Sequence, residues 1–127
     1  MTSPKHTILL VEDNEVNRDM LVRRLQRAGH AVSTAGDGEA ALAAMRELKP
    51  AVVLMDMNLP VMDGWTACAA AQNDSDLVDI PIIALTAHAM EEDKARALAA
   101  GCSDYATKPV DFPDLLSKIS AHLNASH

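Results

Sequence analysis

Several residues of this 127-residue chain are of the types, and at the positions, that phosphoryl chemistry needs. Glu12 and Asp13 follow a short aliphatic run at 8–11, and Asp56 follows another at 51–55. Thr86 and Ala87 follow a third at 80–85, and Lys108 and Pro109 follow a weaker one at 105–107. Taken singly, such residues serve as helix caps or surface charges. Taken together, they supply every group a phosphoryl transfer uses. Carboxylates are hard oxygen ligands, suited to a Mg²⁺ ion that keeps several waters. A cation at Asp13 and Asp56 would offset repulsion among the acids and polarise an incoming phosphoryl oxygen. Asp56 could then act as the nucleophile, with Lys108 and the Thr86 hydroxyl on the remaining oxygens. Such a transfer asks mainly for positioning and charge neutralisation.

Specific elements must bring those positions together. The runs 8–11, 51–55 and 80–85 are continuously apolar, the pattern of strands buried on both faces of a parallel sheet. Pro81 is tolerated near the start of its run, where an N–H is not required. The more polar stretches 30–35 and 105–107 predict shorter or edge strands. Asn14 can cap a helix through about Ala28, with Arg23, Arg24 and Arg27 near its negative end and Gly29 stopping it. Asp37 or Gly38 opens a second helix through Leu48, closed by Pro50, and a third follows Gly64. A fourth is expected from about Glu91 to Ala100, before Gly101. The last starts after Asp111 and places Phe112, Leu115, Leu116, Ile119 and Leu123 on one face. This (βα)5 alternation predicts an α/β, doubly wound, five-stranded parallel sheet with helices on both faces. In such sheets the binding crevice lies beyond the carboxyl ends of the strands. The acids fall there.

The length predicts one domain over 1–127, with a core at about 7–123, and the expectation is that no effector domain accompanies it. Trp65, Tyr105 and Phe112 are the only aromatic residues, so aliphatic side chains must fill the core and base stacking is excluded. Eleven basic against 18 acidic residues leave a net charge of -7, a poor field for nucleic acid or anionic membrane. Cys68 and Cys102 lack metal or CxxC spacing and read as reduced small hydrophobes. Residues 1–7 carry no apolar leader, and no run approaches the ~20 residues of a membrane span. A cytoplasmic location is the expectation.

Four ordered motifs resemble the response-regulator receiver domain (CheY-like) of bacterial two-component and phosphorelay signalling. They are Ile8-Leu9-Leu10-Val11-Glu12-Asp13-Asn14, the segment from Leu54-Met55-Asp56 to Met62-Asp63-Gly64, Ala84-Leu85-Thr86-Ala87, and Lys108-Pro109. The resemblance implies the flavodoxin-like strand order 2-1-3-4-5. It implies that Asp56 accepts a phosphoryl group from a phosphohistidine on a histidine kinase or histidine phosphotransfer protein. Glu12, Asp13, Asp56 and the Asn58 backbone carbonyl would hold Mg²⁺. Thr86 and Ala87 would meet the phosphoryl group together with Lys108, and Tyr105 would follow Thr86 inward as an aromatic switch. The Lys108–Pro109 bond is expected to be cis, and Asn58 and His88 to modulate phosphoryl lifetime. The fourth helix, last strand and last helix would report the state to a downstream protein. The implied role is a signalling switch that catalyses its own phosphorylation and dephosphorylation, without turnover of a separate substrate.

Rival readings compete with this one. A haloacid-dehalogenase-like Mg²⁺-dependent phosphatase also uses a strand-end Asp, a Thr, a Lys and a metal, but Asn58 stands where its second Asp would act. A non-phosphorylated docking module would need no chemistry at all, yet no catalytic position is missing. Gly36-Asp37-Gly38-Glu39-Ala40-Ala41 spells a dinucleotide fingerprint, but it follows the second, polar strand and lacks a second nucleotide-binding half. Arg23, Arg24 and Arg27 suit either the helix dipole or a docking face for a kinase. Trp65, just after Gly64, should lie near the acids and report on them.

Overall fold

The computed structural model describes residues 7–57, 64–86, 95–96, 98–107 and 110–125. Its strands are β1 (Thr7–Val11), β2 (Ala31–Ala35), β3 (Val52–Asp56), β4 (Ile82–Thr86) and β5 (Asp104–Thr107). Between and after them run α1 (Glu15–Arg27), α2 (Gly38–Leu48), α3 (Gly64–Gln72) and the C-terminal α4 (Phe112–Ala125). The five strands form one sheet in the order β2-β1-β3-β4-β5, and every pairing is parallel. This is the doubly wound α/β fold expected from the alternation of runs.

Continuous apolar strands follow from burial on both faces. Alternate side chains point to opposite sides of a sheet. Ile8, Leu10, Val52, Leu54, Ile83 and Leu85 join Leu21 and Leu25 of α1 and Leu115, Ile119 and Leu123 of α4 in one core cluster. Their neighbours Leu9, Val11, Val53, Met55, Ile82 and Ala84 join Ala41, Leu42 and Met45 of α2 and Ala67, Cys68 and Ala71 of α3 in the other. Apart from Thr7 at the start of β1, every residue of β1, β3 and β4 is buried.

Local chemistry sets the helix ends. Asn14 is the N-cap of α1, its Oδ1 accepting from the Asn17 amide at 3.0 Å. Gly29, at φ 96°, follows the end of that helix in the left-handed region that a side chain disfavours. Asp37 caps α2 through the Ala40 amide at 2.7 Å. The glycine-rich spelling around it is therefore a capped turn, and a side chain at Gly36 would meet no atom within 4 Å.

Some boundaries differ from the expected ones. β3 and β4 each extend one residue further, so that Asp56 and Thr86 are the last residues of their strands rather than the first beyond them. Backbone pairing carries them: Asp56 stands opposite Leu85, and the Met57 amide donates to the Leu85 carbonyl at 3.1 Å. β4 also starts later than expected, because residues 73–80 form turns in which the Ile80 amide donates to Leu77. The expected fourth helix falls partly outside the described residues; 95, 96, 98 and 99 are helical and lead into Gly101 at φ 105°. Among the described residues no helix is long and apolar enough to cross a membrane.

Candidate functional site

The sheet order puts β1 beside β3 and β3 beside β4, so their carboxyl ends adjoin. Glu12 sits immediately beyond β1, where its amide donates to the Ala35 carbonyl of β2 at 3.1 Å. Asp56 ends β3 and Thr86 ends β4. All three are almost wholly buried, with 1 % of Glu12, 3 % of Asp56 and 2 % of Thr86 exposed, whereas Asp13 is open to solvent. One carboxylate oxygen each from Glu12, Asp13 and Asp56 lie within 4.8 Å of one another. Three acids so close repel strongly in a partly dry pocket unless a cation or hydrogen-bond donors offset them.

Part of that offset comes from α1. Its amino end approaches the acids, and the Asn14 amide donates to Glu12 Oε2 at 3.3 Å. A helix N-terminus carries partial positive charge, which favours carboxylates beside it. Arg18, one turn along, donates from a guanidinium nitrogen to the Glu12 carbonyl at 3.1 Å, tying the helix to the strand end that bears the acids. Nothing in the spacing of acids and aliphatics singles out Arg18. Its place one turn beyond a capping Asn is the signal that could have done so.

Gly64 closes the other side. Its amide donates to the Met57 carbonyl at 3.2 Å. A Cβ there would lie 2.6 Å from the Asp56 carbonyl oxygen and 2.7 Å from Met57 Cα. Only glycine lets α3 begin this close to the acid-bearing strand end. Next to it, Trp65 is half-buried against the α2/α3 core, with the Arg96 guanidinium 4.2 Å from its ring centroid.

Tyr105 lies in β5 opposite Ala84, two residues before the strand end, and packs against the same core. Lys118 of α4 donates to the Tyr105 carbonyl at 2.6 Å and stands 5.3 Å from its ring centroid. The structure therefore brings Glu12, Asp13 and Asp56 into one cluster, with Thr86 ending the adjacent strand. Asn58, Ala87, His88, Lys108 and Pro109 lie outside the described residues, as does the expected cis bond between the last two.

Beside this rim, between α1 and the start of α4, runs a largely apolar groove of about 630 Å³. Glu12, Asn17, Met20, Leu21, Arg24, Val110 and Phe112 line it. The groove adjoins the acids at Glu12 but does not enclose them.

Comparison with known proteins fits this arrangement. The chain is 33 % identical over 117 residues to the polar-differentiation response regulator DivK of Brucella anthropi, covering 92 % of this chain and 95 % of that one. It is 34 % identical over 116 residues to the DNA-binding dual master transcriptional regulator RpaA of a Synechocystis strain, covering 91 % of this chain. It spans about half of that regulator's length, 48 %. The receiver domain of the Pseudomonas aeruginosa sensor histidine kinase PA1611, crystallised with magnesium in its active site cleft, matches with a TM-score of 0.87. That match is at 34 % identity, over 95 % of this chain and 99 % of that one. A co-crystal of the Saccharomyces cerevisiae histidine phosphotransfer protein Ypd1 with the receiver domain of Ssk1 matches at 0.84 and 32 % identity, over 94 % of this chain and 90 % of that one. The sequence pattern of the response regulator receiver domain matches residues 8–120, nearly the whole sheet and its helices, and the chain belongs to that family of two-component signalling switches.

Proposed function

We propose that Asp56 accepts a phosphoryl group from a phosphohistidine of a histidine kinase or histidine phosphotransfer protein, and that the new charge switches the domain's contacts with partner proteins. The observation that carries this reading is the cluster of Glu12, Asp13 and Asp56 oxygens within 4.8 Å, with Asp56 buried at the end of a central strand. The cluster's chemistry suits Mg²⁺, a hard cation that favours carboxylate oxygen. Glu12, Asp13 and Asp56 would hold the ion, together with the Asn58 carbonyl. When bound, it would neutralise the acids and polarise the phosphoryl oxygens.

The remaining chemistry belongs to the chain. An Asp56 carboxylate oxygen attacks phosphorus, the P–N bond breaks, and the histidine leaves with the electron pair and takes up a proton. Burial of Asp56 keeps bulk water from competing at the acyl phosphate. Thr86, at the end of the next strand, offers its hydroxyl to the phosphoryl oxygens, and Lys108 an ammonium. Tyr105 follows Thr86, so that β5, α4 and the helix before them carry the message. Asn58 and His88 tune the lifetime of the acyl phosphate. The groove beside Glu12, lined by Met20, Leu21 and Phe112 with Arg24 at its edge, suits docking of the donor protein. The Ypd1–Ssk1 co-crystal supports a phosphotransfer protein as such a donor.

Incubation with acetyl phosphate and Mg²⁺, followed by intact mass measurement, tests the reading. Wild type should gain one phosphoryl group and Asp56→Asn none. No adduct with any of a panel of phosphodonors would overturn it. Mg²⁺ titration should change Trp65 fluorescence saturably, and Asp13→Asn should weaken that binding on the order of tenfold or more. An unaltered signal would remove the metal from the mechanism.

A further inference from the structure

Cys68 and Cys102 stand 34 residues apart in sequence, yet their sulfurs lie 3.0 Å from each other. Neither residue is in a disulfide; Cys68 is wholly buried and Cys102 5 % exposed, and they share the core cluster between the sheet and α2/α3. Two features of the backbone hold them together. Cys68 lies on α3 one turn before Gln72, and a Cβ on Gly101 would meet the Gln72 side chain at 3.0 Å. Gly101, at φ 105°, therefore lets the chain turn tightly against α3, which lays Cys102 on Cys68. After the turn, the Ser103 amide donates to Ile82 at 2.8 Å and the chain enters β5.

We propose that Cys68 and Cys102 form a reversible modification site, converting between a dithiol and an intrachain disulfide by exchange with a low-molecular-weight disulfide. The slightly exposed Cys102 reacts first. Its thiolate attacks the small disulfide, whose S–S bond breaks and releases one thiolate that takes up a proton. The Cys68 thiolate then attacks the mixed disulfide at Cys102 and expels the second small thiol. Both protein thiols lose their protons, the protein gives up two electrons, and the small disulfide leaves as two thiols. The new bond ties α3, whose first residue abuts Asp56, to the approach to β5, which carries Tyr105. It thus joins two elements on either side of the proposed switch.

The test uses the full chain under native conditions, treated with oxidised glutathione and then with dithiothreitol. The expected product is lighter by two hydrogen atoms, yields a Cys68–Cys102 linked peptide on non-reducing digestion, and reverts with dithiothreitol. Because the sulfurs already touch, oxidation should raise the melting temperature by roughly 10 °C. Cys68→Ala and Cys102→Ala should each abolish the mass change and the thermal shift. Lasting glutathionylation of either cysteine, disulfide-linked dimers alone, or no mass change would overturn the proposal. A fall in melting temperature on oxidation would do the same, by showing that the sulfurs had to be forced together.

Discussion

The two faces of the sheet are built on opposite plans. Toward α1 and α4, every buried core residue but Ala106 is a valine, leucine or isoleucine. Toward α2 and α3, the cluster holds five alanines, three methionines and two cysteines among its buried residues. The first face is filled by branched side-chain volume. The second is closed by bringing backbones near one another, and two glycines whose added Cβ would crowd a neighbour, Gly64 and Gly101, lie on it. One face should therefore suffer most from losing atoms and the other from gaining them. The proposed moving and reacting parts, Tyr105 and the cysteine pair, pack on the second face, as does Trp65.

The largest effect expected from this contrast is at Leu25, wholly buried on α1. Leu25→Ala removes branched volume between α1 and the sheet and should cost about 3 kcal/mol in urea unfolding. Cys68→Ala, wholly buried on the other face, deletes one heavy atom and should cost only about 1 kcal/mol. Equal losses would break the contrast.

Gly64→Ala asks the reverse question. The added methyl would collide with the Asp56 carbonyl and the Met57 backbone, neither of which can swing aside as a side-chain tip would. Stability should fall by about 2 kcal/mol through overpacking. The displaced strand end also bears the acceptor, so Mg²⁺ affinity, read from Trp65 fluorescence, should fall with it. A stable variant with wild-type affinity would show that α3 can retreat from the acids without consequence.

The same contrast explains what could be read before the fold was seen. Strands buried on both faces are apolar at every position, so 8–11, 51–55 and 80–85 stand out in the sequence. Parallel topology then puts the residues after β1 and at the ends of β3 and β4 on one rim, which is why Glu12, Asp13 and Asp56 were legible as a group. Strand ends were less so. Asp56 and Thr86 belong to β3 and β4 because main-chain ladders continue regardless of side-chain polarity. The partly exposed β2 and β5 gave weaker signals, as edge strands do. Contacts between distant elements left no periodic trace. Neither the Cys68–Cys102 contact nor the Arg96 cation over Trp65 can be inferred from spacing, since each depends on how closely two elements approach in space.

The smallest expected effect lies at the rim of the closely packed face. Asp74, in the turn after α3, accepts from the Asp76 amide at 2.9 Å and from Arg46 of α2 at 3.0 Å. The Asp76 amide first, and the Arg46 guanidinium second, hold its carboxyl below the ordinary value of 3.8. A carboxylate with a lowered folded-state pKa stabilises the fold above its unfolded pKa, and that contribution fades as pH falls through the folded value. Asp74→Asn keeps an oxygen for the Asp76 amide but loses the charge. Its urea midpoint should therefore lie slightly below wild type at neutral pH, with a gap that stays constant down to about pH 5 and closes below 3.8. Arg46 is 55 % exposed, so added salt should shrink the neutral-pH gap. A gap that widened on acidification would mean that the ion pair between α2 and the turn after α3 opposes the close approach of that face. The face would then rest on its small residues alone.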